Sequence, residues 1–250
     1  MKRAILWTLW ALVPVAALAM HLGPGQKHLA RDEAAEIIAK AEALERDGKW
    51  TDAAKLYSQA RGLLVSSADV PPIETLKVRY AEARAIVWSG DLVAGQEAFQ
   101  SLVAELTDES STKVKDASLL ARARSELAAT SYSIAWLMRL EKASREEWYP
   151  ESEIARQQYR LLAEEAIEQN SPEAEKLTEN LETVIRFQDI SEKQLSECDQ
   201  PGNTKNAGKN IKQKKRDQRA SRQQKQQQPK DAREDINKNA GEERHNPKGS

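Results

Sequence analysis

A segment in the first half of the chain repeats itself at a constant spacing of 42 residues. Residues 39–60, AKAEALERDGKWTDAAKLYSQA, align with residues 81–102, AEARAIVWSGDLVAGQEAFQSL. Small residues recur at 41 and 83, a glycine recurs at 48 and 90, and an aromatic residue recurs at 57 and 99. A repeat of this length indicates a helical unit that buries its apolar face by stacking on a neighbouring copy.

Each copy predicts two antiparallel helices that are joined by a tight turn. Ala41 and Ala83 allow close approach of neighbouring helices because they are small. Gly48 and Gly90 are expected to end the first helix of each pair, since glycine adopts the left-handed C-cap conformation without steric cost. Ala, Leu, Glu, Lys, Arg and Gln dominate the composition, which favours helix along the chain.

This pattern resembles the tetratricopeptide repeat (TPR) family. That family has a small residue, a large one three positions later, a glycine at the turn, and then small-x-x-x-aromatic-x-x-small. The first copy matches with Ala41, Leu44, Gly48, Trp50, Ala53, Tyr57 and Ala60. The second matches with Ala83, Ile86, Gly90, Leu92, Gly95 and Phe99, and Leu102 replaces the last small residue. The resemblance implies an all-α fold, an α-solenoid of antiparallel helix pairs, over residues 26–195.

A third, degenerate unit and a capping helix are predicted after the two clear copies. The first helix of this unit is expected at about 115–141. Because a turn glycine is missing, residues 141–150 are interpreted as an insertion, and Ala155 and Tyr159 as the counterparts of Gly95 and Phe99. The capping helix is expected to start with Ser171 as its N-cap and Pro172 as its first residue.

The chain begins with an apolar segment that indicates a signal anchor or a signal peptide at residues 1–25. Lys2 and Arg3 precede the uncharged run AILWTLWALVPVAALAM, which covers residues 4–20. An anchor at residues 4–22 would make this a single-pass protein of the cell (inner) membrane with its repeat domain outside the cytoplasm. Cleavage near Ala19 would instead give a secreted or periplasmic protein.

Residues 196–250 are expected to form a disordered basic tail rich in Gln and Lys. From residue 199 onward the tail has 14 Lys or Arg, seven Asp or Glu and no aromatic residue, so it has little apolar surface to bury. A transient helix is expected at 210–228. The cations that are candidates for binding a polyanion are Lys209, Lys212, Lys214, Lys215, Arg216, Arg219, Arg222 and Lys225.

The sequence contains no motif that indicates catalysis. Walker-type, Gly-x-Gly-x-x-Gly and Gly-x-Ser-x-Gly patterns are missing. The three histidines, at 21, 28 and 245, lie outside the repeats, and the single cysteine, Cys198, lies at the edge of the domain. We therefore predict a protein that is not an enzyme, holds no metal or cofactor, and has no small-molecule substrate.

The resemblance also implies a binding groove. In the TPR family the first helix of each pair lines the concave face. For this chain that rule implies Ile38, Glu42, Glu45, Arg46, Lys77, Tyr80, Arg84, Val87 and Trp88. Lys77, Tyr80 and Arg84 share one helical face at this spacing.

Two functions follow from these features. The first is a non-catalytic scaffold, tethered to the cell envelope, that binds a partner polypeptide in the groove. The alternative is a protein that binds a polyanion through its tail and uses the repeats as an oligomerisation stem. That polyanion would be an anionic lipid, a cell-wall polymer or a nucleic acid.

Overall fold

The computed structural model describes residues 13–14, 24–66, 71–108, 116–195, 201, 204, 208 and 210–227, and their regular secondary structure is helical. The helices are α1 Pro24–Arg46, α2 Trp50–Ser66, α3 Pro72–Trp88, α4 Leu92–Thr107, α5 Ala117–Leu140, α6 Arg145–Glu168, α7 Ala174–Asp189, α8 Glu192–Leu195 and α9 Ile211–Gln227. Each helix from α1 to α6 packs against the next one in sequence, and α3 also contacts α5. The all-α prediction is confirmed for this part of the chain, and the consecutive packing is consistent with a helical solenoid.

The turns within the first two helix pairs have the predicted glycine geometry. Gly48 has a φ of 72° and Gly90 a φ of 98°. The Gly48 N–H donates to the carbonyl of Glu45 at 2.9 Å, and the Lys49 N–H donates to the carbonyl of Leu44 at 2.8 Å. These two bonds form a Schellman motif, which satisfies the last carbonyls of α1.

The third helix pair has the same turn without a glycine. Lys142 adopts a φ of 54°, and its N–H donates to the carbonyl of Arg139 at 3.0 Å. Ser144 and Glu147 then form a capping box that starts α6 at once. The predicted insertion at 141–150 is therefore wrong, because its second half already belongs to α6.

The predicted counterparts Ala155 and Tyr159 are also wrong. Gly95 follows its turn residue, Gly90, by five positions, whereas Ala155 follows Lys142 by 13. Ala155 and Tyr159 therefore lie about two helical turns further along their helix than Gly95 and Phe99 do. They pack in a cluster with Val184 of α7.

The turn between α6 and α7 has the left-handed residue Asn170, with a φ of 50°. The N–H of Ser171 donates to the carbonyl of Ala166 at 2.8 Å, so Ser171 closes the turn that ends α6. Helix α7 has Glu173 as its N-cap and starts at Ala174. The predicted start at Ser171 and Pro172 is therefore too early.

Small residues recur in the first helix of all three pairs. Ala41, Ala83 and Ala135 each lie seven positions before the turn residue, and each is fully buried. Helices α3 and α4 approach closely at Gly95, where an added Cβ would lie 2.3 Å from Cγ2 of Val87. The first helices thus keep a common register from pair to pair.

Helix α7 is attached to the third pair through Arg139. This guanidinium donates to the carbonyl oxygens of Phe187 at 2.5 Å and Ile190 at 2.6 Å, both at the end of α7. It also lies 4.6 Å from the ring centroid of Trp148. A cation at a helix C-terminus is favourable because the last carbonyls lack partners there and carry partial negative charge.

The chain divides into two compact units, Met1–Ile211 and Lys212–Ser250. Ile211 is fully buried in the main apolar cluster, and its N–H donates to Oε1 of Glu141 at 3.0 Å. Helix α9 starts there and covers the stretch where a helix was expected.

No helix within the described ranges is long and apolar enough to cross a membrane. Apart from Val13 and Pro14, the predicted span at residues 4–22 lies outside the described residues.

Candidate functional site

A cavity of about 690 Å³ lies between α1 and α3. Its lining comes from α1, α3 and α5, which are the first helices of the three pairs, and from two residues of α2. Seven of the nine predicted groove residues line this cavity: Ile38, Glu42, Glu45, Arg46, Lys77, Tyr80 and Arg84. These seven residues, which the resemblance to the TPR family implies, therefore share one cavity surface on α1 and α3.

The other two predicted groove residues lie elsewhere. Val87 is fully buried in the core, where it faces Gly95 of α4. Trp88 is the last residue of α3 and stacks on Trp50, the first residue of α2, with ring centroids 5.7 Å apart. The packing at the turn end of the pair thus takes both side chains away from the cavity.

An ion pair between α1 and α3 forms part of the cavity lining. Nη2 of Arg84 lies 2.5 Å from Oε2 of Glu45, and the Glu45 side chain is only 10% exposed. Tyr57 of α2 lines the cavity next to this pair. Burial, together with the negative charges of Glu45 and Glu42, raises the pKa of Tyr57 to about 12. Its hydroxyl is therefore protonated at neutral pH.

Tyr80 and Arg122 form the wall towards α5, and Glu126 of α5 interacts with Tyr80 without lining the cavity. The Arg122 guanidinium carbon lies 5.4 Å from the Tyr80 ring centroid, within range of a cation–π interaction. Burial raises the pKa of the Glu126 carboxyl, although Arg84 and Tyr80 act in the opposite direction. Burial and then the Glu126 charge raise the pKa of Tyr80. These groups connect the second helix pair to the third.

The rim of the cavity has more positive than negative charge. Arg31 pairs with Glu74 across α1 and α3. Arg46 and Lys77 are exposed and form no ion pair with any residue that the structure describes, and the same holds for Glu42. Among the residues that the structure describes, five cations and three carboxylates line the cavity.

A second cavity, of about 470 Å³, lies among α5, α6 and α7. Its polar lining includes Ser118, Ser125, Glu165 and Glu173. Arg122 lines both cavities. In chain order, α7 takes the place that the first helix of a fourth pair would have. The second cavity, which α5 and α7 line, therefore continues the surface formed by α1, α3 and α5.

Sequence reasoning did not find Arg31, Tyr57 or Arg122. Arg31 lies further towards the start of α1 than the residues considered, and Tyr57 belongs to a second helix of a pair. Arg122 lies 20 positions before the turn residue Lys142. Its position relative to the turn could not be predicted, because that turn has no glycine.

The predicted polyanion-binding residues differ in exposure. Nζ of Lys215 donates to Oε1 of Gln218 at 2.8 Å, and its role in polyanion binding stays a prediction. Lys209 lies outside the described residues. Lys212 and Arg219 are half-buried. The exposed cations of α9 are Lys214, Arg216, Arg222 and Lys225.

Within the described parts of the chain, no group of three or more His, Cys, Asp or Glu side chains is placed to hold a metal ion. No protein-family model, curated protein or solved structure matches this chain. The resemblance to the TPR family therefore stays a prediction that depends on the residues themselves.

Proposed function

We propose that this chain is a TPR-like scaffold that binds a segment of another polypeptide in the cavity between α1 and α3 and catalyses no reaction. What supports the proposal is the convergence of side chains from two successive first helices on one solvent-open cavity. The tether to the cell envelope through residues 4–22 is part of this proposal and is based on the sequence alone.

The cavity has the composition of a peptide-binding surface. Ala35, Ile38 and Ala81 provide apolar contact area, while Tyr80 is an amphipathic ring that is already held in place by Arg122. A pre-positioned aromatic side chain loses little conformational entropy on binding, which favours affinity. A volume of about 690 Å³ is within the usual range for ligand sites.

The test is a pair of alanine-to-tryptophan substitutions on α1. Ala35 is exposed and lines the cavity, whereas Ala39 is exposed on the same helix and does not line it. Phage-displayed random peptides are first selected on the immobilised full-length chain. Their binding is then measured on Ala35→Trp and on the matched control Ala39→Trp.

We expect Ala35→Trp to weaken the selected peptides at least tenfold, because the indole would fill the cavity, and Ala39→Trp to leave them unchanged. The proposal fails if the peptides bind both variants as well as the unaltered chain. It also fails if repeated selections give no binding peptide.

The alternative function, polyanion binding through the tail, is supported only by the charge of α9 among the described residues. Helix α9 has seven Lys or Arg and one Asp over 17 residues, which is enough charge for salt-dependent binding. The test compares polyphosphate binding by the full chain with that of a variant whose four exposed α9 cations are replaced by Gln. Equal affinity of the two proteins would exclude this role.

A further inference from the structure

Arg122 is the one described residue that lines both cavities, and its side chain lies between them. Arg122 is stacked over the Tyr80 ring on the side of the first cavity. Its Nε donates to the carbonyl of Ser118, which lines the second cavity, at 3.4 Å. A ligand that leaves the first cavity along the first helices therefore meets Arg122 and then the second cavity.

The first cavity has an excess of positive charge. Two of its three carboxylates are already paired, Glu74 with Arg31 and Glu45 with Arg84. The remaining lining charges are Glu42, Arg46, Lys77 and Arg122, and none of these four groups forms an ion pair with another described residue. A ligand with carboxylates complements this surface.

The second cavity lacks this positive excess, because the two charges of its lining that form no ion pair, Glu173 and Arg122, cancel. Glu165 and Glu173 line it, and Arg122 is its only cation among the described lining residues. Glu165 pairs with Arg124, whereas Glu173 is exposed and has no ion-pair partner among the described residues. The start of α5 adds no free positive pole, because the Asp116 carboxylate already accepts from the Leu119 N–H at 2.9 Å.

We propose that the partner segment is dipolar, with acidic side chains over the cavity between α1 and α3 and basic side chains over the cavity among α5, α6 and α7. This inference rests on the proposed function and specifies the partner for it. A path across α1, α3, α5 and α7 covers about 30 Å if successive helix axes lie about 10 Å apart. An extended chain covers that length with about nine residues at about 3.3 Å each.

The probes are three fluorescein-labelled peptides of about twelve residues with identical composition and no net charge. The first has glutamates in its N-terminal half and lysines in its C-terminal half, the second has the reverse order, and the third alternates the two residues. Equal composition removes general charge attraction from the comparison. Fluorescence anisotropy with the full-length chain gives the three affinities.

We expect one of the two block peptides to bind at least tenfold more tightly than the alternating peptide. We also expect Ala35→Trp to abolish this preference, since it fills the first cavity. In the charge-swap variant Lys77→Glu/Glu173→Lys, both exposed charges are inverted, so the other block peptide should become the preferred one. Inversion is a result that a folding defect would not produce.

Two results would overturn the dipolar partner. One is equal binding of the block and alternating peptides, and the other is an unchanged preference in the charge-swap variant. If phage-selected peptides still bind and are still weakened by Ala35→Trp, the groove function stands and only the charge pattern fails. If no peptide of any kind binds, the groove function itself fails.

Discussion

The close approach of α3 and α4 at Gly95 gives the sharpest prediction for the fold. Replacing Gly95 by alanine would put a Cβ 2.3 Å from Cγ2 of Val87 and 3.2 Å from its backbone nitrogen. Val87 is fully buried and β-branched, so its methyl group has no alternative rotamer at low cost in a helix. The substitution therefore requires the two helices to separate.

The expected loss of stability follows from two opposing effects. Overpacking of a well-packed core costs about 1–3 kcal/mol. Replacing a glycine by alanine inside a helix raises the free energy of unfolding by about 0.5–1 kcal/mol. We expect Gly95→Ala to lower the free energy of unfolding by about 1–2 kcal/mol, as the difference between these effects.

Gly62 of α2 is the matched control. It is exposed in the interior of its helix, and an added Cβ would meet no atom within 4 Å. Gly62→Ala should therefore raise the free energy of unfolding by about 0.5–1 kcal/mol. The same substitution in the same kind of element thus changes stability in opposite directions.

Urea unfolding followed by far-ultraviolet circular dichroism measures both effects as shifts of the midpoint at constant slope. A third variant, Gly95→Ala/Val87→Ala, removes the methyl group that the new Cβ meets. It should be more stable than the sum of its two single substitutions indicates. An increase in stability from Gly95→Ala alone, or strict additivity in the double variant, would refute the proposed packing of α3 on α4.

Three other predictions concern stability. In urea unfolding, the free energy of unfolding of Lys142→Gly should exceed that of Lys142→Ala by about 1 kcal/mol, because only glycine removes the strain at a φ of 54°. Arg139→Met should cost about 2–4 kcal/mol in thermal unfolding, since two carbonyls at the end of α7 lose their donor. Its control, Arg186→Met, alters a side chain that is 72% exposed and should change little. The hydrogen bond from Arg156 lowers the pKa of Glu153 from 4.5 to about 2. The interaction of Glu153 with Arg156 therefore stabilises the fold by about 1 kcal/mol above pH 4.5, and this stabilisation is lost as the pH falls towards 2. The test compares the free energy of unfolding of the unaltered chain with that of Glu153→Gln at several pH values.

The repeat itself could be predicted because two independent signals coincide in the first two pairs. Gly48 and Gly90 are at positions that need a positive φ, and Ala41 and Ala83 lie seven positions earlier, where only a small side chain fits. Fixing the turn fixes the register of the preceding helix, and with it the face that lines the cavity. Together with the TPR rule that the first helix of each pair lines the groove, this register gives seven residues that line the cavity.

The third pair was harder to recognise because its turn has a lysine where the others have glycine. A left-handed residue other than glycine costs only about 1–2 kcal/mol, so the missing glycine did not mean a missing turn. The signal that was available was Ser144 followed three positions later by Glu147, a capping box that marks the start of a helix. Ile211 offered no such signal, since one apolar residue in a polar segment does not reveal what it packs against.

The third pair also differs from the others where an aromatic residue was expected. Tyr57 and Phe99 each follow their turn residue by nine positions, and at that distance from Lys142 the chain has Glu151. Glu151 is only 3% exposed, and its Oε2 accepts from Nε2 of Gln96 in α4 at 2.9 Å. Nε2 of Gln96 also donates to Oγ of Ser131 in α5 at 2.8 Å. At this position of the third pair, a buried polar network thus takes the place of the aromatic contact that was predicted at Tyr159.

This network has a consequence for the proposed binding surface. Apolar contacts tolerate small shifts between helices, whereas buried hydrogen bonds lose most of their free energy when the partners are displaced. Gln96, Ser131 and Glu151 therefore fix α5 and α6 relative to α4 in one register. Arg122 lies on the same helix as Ser131, so the register set by the network also determines where Arg122 meets Tyr80. The break in the repeat pattern thus positions the side chain that joins the two cavities.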